Sequence, residues 1–308
     1  MPGVLITGGT GMVGQALAEI LLDKGYSVII LTREIHGAPS RKGLGYALWD
    51  IKQQTIDVNA LQQCEYIVHL AGAGVVDKKW TAAYKEEIVN SRVESVGLII
   101  KALRQHPNTI KAIVSASAIG FYGPDQADGH LFSEEEKAAD DFLGTTCRLW
   151  EESVDAAKAL GKRVVKLRTG IVLSSKGGAM AEFRKPLRFG VAAIMGSGKQ
   201  VMSWVHINDL CRMYVHAIEQ ENMQGAYNAV SPQPVSNAVF TMKLAKAVRG
   251  KNFIPLHVPS FVLKIMLGQR SIEVLKSASV SAGKISSSGF EFGYPGIDEA
   301  IEDLAGKK

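Results

Sequence analysis

The amino-acid sequence predicts an α/β fold, a Rossmann-type doubly wound parallel sheet with a smaller C-terminal substrate lobe. Three observations lead to this prediction. Apolar runs alternate with segments of helical periodicity, glycines recur every third residue between the first strand and the first helix, and the pattern loosens after residue 169. Alternating strands and helices imply right-handed crossovers that cover both faces of the sheet. We expect a Rossmann domain over residues 1–168, and a substrate lobe with an interleaved helical tail over residues 169–308.

The first half of the chain alternates strand-like and helix-like segments in order. Strands are expected at residues 4–6, 27–32, 46–49, 66–70, 110–115 and 163–167. Helices are expected at residues 12–24, 81–105 and 147–160. Gly25 is a natural C-terminal cap for the first helix, and Pro107 closes the second. Beyond Thr169, glycine-rich loops alternate with short helices, which indicates a smaller lobe above the carboxyl ends of the strands.

The composition argues against several classes of protein. The chain has 308 residues, of which 46% are hydrophobic and 21% charged. It contains no apolar run of roughly 18 residues and no charged leader, so we expect no membrane partner and no signal peptide. Three widely spaced cysteines predict no disulfide framework, no metal site and a cytoplasmic location. The net charge of +5 comes from scattered basic residues, so we expect no nucleic-acid partner.

The strongest motif lies between the first strand and the first helix. Gly8 permits a tight turn, Gly11 lets the backbone approach a pyrophosphate, and Gly14 lets the helix pack closely on the strand. The free N–H groups and the positive dipole at the start of the helix then face the anion. The motif predicts a dinucleotide site, to which Thr10, Met12 and Val13 also contribute. The alternative is a glycine-rich turn without a ligand.

The end of the second strand indicates which dinucleotide binds. NAD sites usually place an acid there, on the ribose 2′-hydroxyl, but this strand ends in Arg33. A guanidinium can make charge-assisted bonds to a 2′-phosphate, so we expect NADP(H) rather than NAD(H). Arg41 and Lys42 follow in the next loop and could add to the positive field. The alternative is that Arg33 is a solvated surface charge.

Later strand ends also face the cofactor in this topology. Asp50 could accept a hydrogen bond from the adenine amine, and Leu70, Ala71 and Gly72 could let the backbone lie against the nucleotide. Ser115, at the end of the next strand, is a further expected contact. Plain turn chemistry is the alternative for the first four of these positions.

Several longer motifs carry a family resemblance over nearly the whole chain. They lie at residues 8–14, 70–72, 77–81, 91–92, 115–123, 167–173, 196–200 and 204–209. With them the chain resembles the extended short-chain dehydrogenase/reductase superfamily, and more narrowly its atypical epimerase-family branch of the YfcH type. Residues from about 255 to 300 resemble the small helical tail domain of that branch. The resemblance implies a nicotinamide cofactor, a small-molecule substrate such as a nucleotide-sugar, and a homodimer through the long helices.

The sequence departs from that superfamily at its catalytic pair. The resemblance implies a Tyr-x-x-x-Lys on the helix after the fifth strand, with the tyrosine as acid/base and the lysine binding ribose. Aligned through Trp150 and Glu151, those two places hold Leu143 and Cys147. Neither side chain can move the proton or carry the fixed charge, so the usual mechanism cannot simply be carried over.

Other groups could replace the missing pair. Ser117 matches a family serine that hydrogen-bonds substrate, and Tyr122 could supply a phenolic proton. Lys85 or Arg92 on the long helix could lower the pKa of that tyrosine, and Arg92 could instead bind the cofactor side of the cleft. The alternative for Tyr122 is a packed aromatic ring with a satisfied hydroxyl.

Five residues are predicted to line the substrate side of the cleft, and three of them have a structural alternative. They are Trp80, Lys85, Gln200, Trp204 and His206. Either tryptophan could stack on a ring or fill the core, and His206 could be an oriented imidazole or a helix cap. Two functions follow: an NADP(H)-dependent epimerase or oxidoreductase with a displaced acid/base, or a non-catalytic NADP(H)-binding sensor or scaffold.

Overall fold

A computed structural model describes residues 1–35, 41–125 and 129–306 of the chain. The strands are β1 Gly3–Thr7, β2 Ser27–Thr32, β3 Leu44–Asp50, β4 Thr55–Ile56, β5 Tyr66–His69, β6 Ala112–Ala118, β7 Arg163–Thr169, β8 Ile171–Ser174, β9 Val191–Met195, β10 Val201–Met202, β11 Trp204–His206, β12 Gly225–Ala229, β13 Val235–Ser236 and β14 Ile254–Val258. The helices are α1 Met12–Asp23, α2 Val58–Gln62, α3 Ala82–Gln105, α4 Phe142–Asp155, α5 Gly178–Leu187, α6 Ile207–Glu219, α7 Asn237–Arg249, α8 Ser260–Leu267, α9 Ser271–Leu275, α10 Gly283–Ser287 and α11 Ile297–Ala305.

The predicted Rossmann-type sheet is confirmed. Eight strands pair in the order β12-β7-β6-β5-β1-β2-β3-β4, and every pair is parallel except the short hairpin of β3 and β4. The strand order reverses between β1 and β5, where Thr7 is paired with His69. Crevices at such a switch point, outside the carboxyl ends of the strands, are where open α/β sheets bind ligands.

Both faces of the central strands of the sheet are buried. Val4 and Ile6 of β1 belong to one hydrophobic core, and Leu5 between them belongs to the other. Successive side chains of a strand point to opposite faces, so a continuous apolar run serves two layers of helices. Helices α1 and α6 cover the first face, and α3 and α4 cover the second.

The helix predicted at residues 147–160 begins earlier than expected. Helix α4 starts after Asp141, whose side chain accepts a hydrogen bond from the Gly144 N–H, and it is followed by a separate 3₁₀ helix at Ala156–Leu160. An acidic N-cap of this kind satisfies amides that the helix itself leaves free. The prediction missed it because the apolar periodicity becomes clear only one turn later.

The second half of the chain returns to the main sheet. β12 pairs with β7 at the sheet edge, while β8 with β11, β9 with β14 and β10 with β13 form three small two-stranded sheets. The division at residues 168 and 169 stays a prediction. Within the described residues, no helix has the length and apolar character needed to cross a membrane.

Candidate functional site

The turn after β1 is built around three missing side chains. Gly8 adopts a φ of +67°, in the left-handed region that favours glycine. A Cβ on Gly8 would lie 2.8 Å from the Leu70 carbonyl carbon, and one on Gly14 would lie 2.5 Å from the Gly8 oxygen. The turn, the strand β5 and the helix α1 therefore approach one another more closely than any other residue would allow.

The start of α1 leaves backbone donors for a ligand. Gly11 is the N-cap, and it has no side chain to accept from the first amides of the helix. Its own N–H donates to the Gly8 oxygen at 3.0 Å, which closes the turn beneath them. Thr10 is exposed at the tip of the turn, with Met12 and Val13 in the first turn of the helix. Uncapped amides at a helix start form an anion site of the kind that binds phosphates.

The strand β5 continues into a segment that faces this turn. The Thr7 hydroxyl oxygen accepts from the N–H groups of Leu70 and Ala71, each at 3.2 Å. These bonds hold residues 70–72 against the glycine turn at the carboxyl edge of the sheet. The structure therefore brings the glycine turn and the Leu70–Gly72 backbone together, as expected for one site.

Arg33 lies just past the end of β2, on the same edge of the sheet. Its side chain is exposed, and within residues 1–35, 41–125 and 129–306 it has neither a hydrogen bond nor an ion pair. Asp50, at the end of β3, accepts from the N–H groups of Lys52 and Gln53 at 2.8 and 3.0 Å. Asp50 thus performs the turn chemistry that was its alternative, with one carboxylate oxygen still available.

The expectation that Arg41 adds to the field at the phosphate site is wrong. Its guanidinium lies 2.6 Å from the carboxylate of Asp23, at the C-terminal end of α1. That end lies at the opposite edge of the sheet from the glycine turn, because a crossover helix runs antiparallel to its strands. Lys42 follows it at the same edge, just before β3 begins.

A buried histidine lies beneath the cofactor edge of β5 and β6. The Trp150 indole donates to His69 Nδ1 at 3.4 Å, so the proton lies on Nε2, which contacts the Ser95 hydroxyl at 2.8 Å. Burial lowers the pKa of His69 to about 3, and the nearby Arg92 charge adds to that effect. Ser115 is also fully buried, with its hydroxyl 3.4 Å from His69 Nδ1, so it supports this layer and offers no free surface to a ligand.

Arg92 reaches the same edge from α3. Its Nη1 donates to the backbone oxygens of Ala73 and Ile88, at 3.0 and 2.8 Å. Its guanidinium lies 5.0 Å from the centre of the Trp150 ring. The charge is thus fixed between the end of β5 and the helix α4.

A buried ionic network lies under the other side of α4. Glu151 accepts from Arg168 through both carboxylate oxygens, at 2.8 and 3.0 Å, and from the Ser117 hydroxyl at 2.7 Å. Arg168 also donates to the Tyr122 hydroxyl at 2.9 Å, and that hydroxyl donates to Asn228 Oδ1 at 2.6 Å. The network joins α4, β6, β7 and β12. Sequence reasoning missed Arg168 and Asn228 and used Glu151 only as an alignment anchor, since no local signal connects them.

This network corrects the expected surroundings of Tyr122. The cation beside its hydroxyl is Arg168, not Lys85 or Arg92. Burial raises the pKa of Tyr122 to about 12, and the contact with Arg168 only partly opposes that rise. Both predicted catalytic hydroxyls, those of Ser117 and Tyr122, are therefore neutral, buried and hydrogen-bonded within the chain.

The two positions compared with the family's catalytic pair are apolar in character. Leu143 and Cys147 are both buried on α4, and a Cβ on Gly120 would lie 3.4 Å from the Leu143 Cβ. Burial raises the pKa of the Cys147 thiol to about 12. Helix α4 contains neither tyrosine nor lysine, and nowhere in the chain does a lysine follow a tyrosine by four residues.

Trp80, Lys85 and Phe142 form an aromatic and cationic wall at the N-terminal end of α4. The Trp80 indole donates to the Val75 oxygen at 2.8 Å and packs edge-on against Phe142, with ring centres 5.1 Å apart. The Lys85 ammonium lies 5.0 Å from the Phe142 ring centre and 5.7 Å from that of Trp80. In the described part of the chain, Lys85 has no carboxylate partner.

The other three residues predicted to bind substrate serve the packing of the C-terminal lobe. Gln200 donates to the backbone oxygens of Met195 and Val274, at 3.0 and 3.1 Å. Trp204 is wholly buried, so it is a core residue and not a platform for a ring. His206 caps α6 through the Asn208 N–H, and its ring stacks on that of Tyr294 with centres 3.7 Å apart. Each of the three thus follows its structural alternative.

Comparison with known proteins agrees with this architecture. Residues 4–229 match the NAD dependent epimerase/dehydratase family. The chain belongs to that family. Residues 258–304 match a domain of unknown function, DUF1731, which confirms the predicted epimerase-family branch with a C-terminal tail domain.

Members of the epimerase family resemble this chain along its whole length. An epimerase family protein of Staphylococcus aureus is 33% identical over 308 residues, covering 100% of both chains. The crystal structure of human epimerase family protein SDR39U1 with NADPH has a TM-score of 0.85 and 29% identity, covering 98% of this chain and 99% of that one. A nucleoside-diphosphate sugar epimerase from Corynebacterium glutamicum has a TM-score of 0.76 and 31% identity, covering 98% of this chain and 57% of its own.

The site holds features for a nucleotide but no cluster of metal ligands. In residues 1–35, 41–125 and 129–306 there is no group of three or more His, Cys, Asp or Glu side chains placed to hold a metal ion. The glycine turn, the free amides of α1 and the segment after β5 lie together at the carboxyl edge of the sheet and form the candidate nucleotide site. The wall of Trp80, Lys85 and Phe142 lies at the start of α4.

Proposed function

We propose that this protein binds NADP(H) and acts as an epimerase-like or oxidoreductase-like enzyme on a small substrate. The observation that carries the proposal is the pairing of a glycine turn, whose helix start has no capping side chain, with an exposed Arg33 that has no partner among the described residues. The turn fits a diphosphate, and the guanidinium fits the additional phosphate on the adenosine ribose. The human relative solved with NADPH supports this choice of cofactor.

The residues of the cleft divide between the two halves of the cofactor. Gly8, Gly11 and Gly14 leave the space that a Cβ would fill, so the pyrophosphate can approach the amides of α1. Arg33 and the free oxygen of Asp50 serve the adenosine half, and residues 70–72 with Arg92 serve the nicotinamide half. When bound, the cofactor supplies hydride-transfer chemistry, and the protein positions the substrate and manages the proton.

The wall of Trp80, Lys85 and Phe142 is the proposed substrate end. An aromatic surface with a cation that has no carboxylate partner suits a substrate with a planar ring and an anionic group. A nucleotide-sugar has both, and the similarity to the nucleoside-diphosphate sugar epimerase from C. glutamicum supports that class. The catalytic role of Ser117 and Tyr122 stays a prediction, since both hydroxyls would have to leave their present partners.

Titration calorimetry with Arg33→Ala tests the cofactor proposal. The variant should lose roughly 10- to 100-fold in NADPH affinity, the value of a charged hydrogen bond, and should bind NADH as the wild type does. Arg104→Ala is the matched control, because Arg104 is exposed on α3. Equal wild-type affinity for NADPH and NADH, or an unchanged Arg33→Ala variant, would contradict NADP(H) recognition.

A second candidate function is a non-catalytic NADP(H)-binding module. The observation that favours it concerns the four residues considered for the catalytic positions: Leu143 has no proton to give, burial raises the pKa values of Cys147 and Tyr122, and the Ser117 hydroxyl donates to Glu151. Such a protein would bind the cofactor tightly and leave it unchanged.

Product analysis separates the two candidates. NADPH or NADP⁺ is incubated with UDP-glucose, UDP-glucuronate and small carbonyl compounds, and both the absorbance of NADPH and the sugar products are followed, because an epimerase returns its hydride. A new epimer or a substrate-dependent absorbance change supports the enzyme, and Tyr122→Phe should then abolish it without changing NADPH affinity. Tight NADPH binding without any product supports the module.

A further inference from the structure

The helix position that the family resemblance assigns to a lysine holds Cys147, which has no fixed charge. We propose that Arg92 supplies the missing positive charge from a different helix, and that its guanidinium binds the hydroxyls of the nicotinamide-side ribose. This inference rests on the proposed function, because it requires that a nicotinamide dinucleotide occupies the cleft.

The guanidinium is held between the end of β5 and the part of α4 that follows Cys147. Nη1 is fixed by the backbone oxygens of Ala73 and Ile88, and the plane lies over Trp150 on α4. Trp150 is one helical turn beyond Cys147, and the Arg92 charge acts on the Cys147 thiol. A cation from α3, Arg92, therefore lies near Cys147, the position at which α4 lacks a cation.

The end of β5 is shaped around this side chain. A Cβ on Gly72 would lie 3.0 Å from Arg92 Cζ and 3.2 Å from its Nη1. Any larger residue at position 72 would push the guanidinium away from the strand end. Glycine in such a place typically marks a close approach to a ligand or to another chain segment. Here it lets the guanidinium lie beside the backbone that was predicted to contact the nucleotide.

Arg92 retains unused donors and lacks a counter-charge. Across the described ranges, Nε and Nη2 make no hydrogen bond, and no carboxylate forms an ion pair with the guanidinium. The side chain is partly buried, and burial lowers its pKa. Placing a guanidinium in a partly dry cleft without an anion is unfavourable unless a ligand later accepts from it. The free donors on Nε and Nη2 suit the paired hydroxyl oxygens of a ribose, which can both accept hydrogen bonds.

The position of each arginine along the sheet indicates which half of the cofactor it contacts. Arg33 follows β2, on one side of the switch point between β1 and β5, and Arg92 lies against β5, on the other side. A dinucleotide that lies across the switch point has one ribose on each side. Arg33 therefore addresses the adenosine ribose, and Arg92 addresses the nicotinamide ribose.

Two probes test this division by calorimetry. NADPH carries both riboses, and 2′,5′-ADP carries only the adenosine ribose with its phosphates. Arg92→Ala should weaken NADPH binding about 10-fold or more and leave 2′,5′-ADP binding within about twofold. Arg33→Ala should weaken both probes, and Arg104→Ala should weaken neither. Unchanged NADPH affinity in Arg92→Ala, or an equal loss with both probes, would overturn the assignment.

Restoring the charge on α4 provides a second, independent measurement. In Arg92→Ala combined with Cys147→Lys, a lysine returns to the helix position, and NADPH affinity should recover relative to Arg92→Ala alone. Arg92→Gln keeps the side-chain length and removes the charge, and it replaces the alanine variant if circular dichroism shows that the latter is unfolded. If neither Arg92→Ala nor Arg92→Gln changes the ratio of NADPH affinity to 2′,5′-ADP affinity, the inference is refuted. Failure of the wild type to bind either probe would refute the proposed function instead.

Discussion

The contribution of a single glycine to the stability of this protein depends on which atoms surround the position of the missing Cβ. Gly14 and Gly97 both lie inside helices, in α1 and α3. A Cβ on Gly14 would lie 2.5 Å from the Gly8 oxygen and from the Gly9 Cα, whereas one on Gly97 would have no neighbour within 4 Å. The two positions therefore separate close packing from the general weakness of glycine in a helix.

Alanine substitutions at these two positions should have opposite signs. Gly97→Ala should raise the free energy of unfolding by about 0.5–1 kcal/mol, because alanine loses less backbone entropy in a helix. Gly14→Ala should lower it by about 1–3 kcal/mol, because backbone atoms must move apart. Urea unfolding measures both, and a stabilised Gly14→Ala would contradict the close packing described for the turn.

The buried His69 makes an acid-dependent contribution to stability. Its pKa is about 3 in the folded chain, below the ordinary value of 6.5, because of burial and the Arg92 charge. Below pH 6.5 the unfolded chain therefore binds a proton that the folded chain does not, until the pH falls to about 3. As the pH falls across this window, the free energy of unfolding should decrease by up to about 1.4 kcal/mol for each pH unit.

Replacing that histidine tests the effect. In His69→Gln the slope of unfolding free energy against pH, measured by urea unfolding between pH 6.5 and pH 4, should be smaller than in the wild type. The variant has no imidazole to protonate on unfolding, although the loss of the contact with Ser95 lowers its stability at every pH. An identical slope in the two proteins would show that His69 does not titrate in this way.

At the level of secondary-structure elements, two of the ion pairs of α4 differ in their exposure to solvent. Glu151 and Arg168 pair at 2.8 Å with side chains only 7% and 5% exposed, which joins the helix to β7. Glu152 and Arg148 pair at 2.9 Å on the solvent face of the same helix, with 57% and 48% exposed. Removing one partner from a buried pair leaves an uncompensated charge, whereas solvent screens the exposed pair.

Neutralising each glutamate should show this contrast. Glu151→Gln should lower the free energy of unfolding by about 3–5 kcal/mol, and Glu152→Gln by at most about 1 kcal/mol. Combining Glu151→Met with Arg168→Met should cost less than the sum of the single changes, since neither partner of the pair is then left without the other. A Glu151→Gln variant as stable as Glu152→Gln would mean that Arg168 finds another counter-charge.

At the scale of the whole molecule, the C-terminal tail is part of the main core. Ile285, Phe290 and Ile301 pack in the same hydrophobic cluster as Val4 and Ile6 of the first strand. The tail carbonyl of Leu304 accepts from Arg184, and that of Pro295 accepts from Ser231. The tail and the sheet are therefore expected to unfold together.

Two isoleucines of the tail test that cooperativity. Ile285 is fully buried and Ile265 is 79% exposed, so Ile285→Ala should cost about 2–5 kcal/mol and Ile265→Ala nearly nothing. All four tryptophans precede residue 258, so their fluorescence reports on the sheet and the adjoining lobe. Coincident fluorescence and circular dichroism transitions, both shifted by Ile285→Ala, are expected. If the fluorescence transition of Ile285→Ala coincides with that of the wild type, the tail unfolds separately from the sheet.

Features that depend on residues close together in the chain could be predicted without the structure. The glycine turn was predictable because its φ values, its close approach to α1 and its free amides arise within residues 8–14. The strand ending at Arg33 was predictable for the same reason. Alternating apolar runs identified a parallel sheet, since both of its faces must be buried.

Only the tertiary structure decided which distant side chains meet. Arg168 lies 17 residues from Glu151 and 46 from Tyr122, whose other partner, Asn228, is 106 residues away. Arg92 meets Trp150 because α3 and α4 pack on the same face of the sheet. Such pairs depend on strand order and helix placement, which are set by the burial of the whole chain and leave no local pattern. Because no local pattern marks such contacts, the sequence predicts Trp204, Gln200 and His206 at a ligand. The structure instead places them within the packing of the lobe.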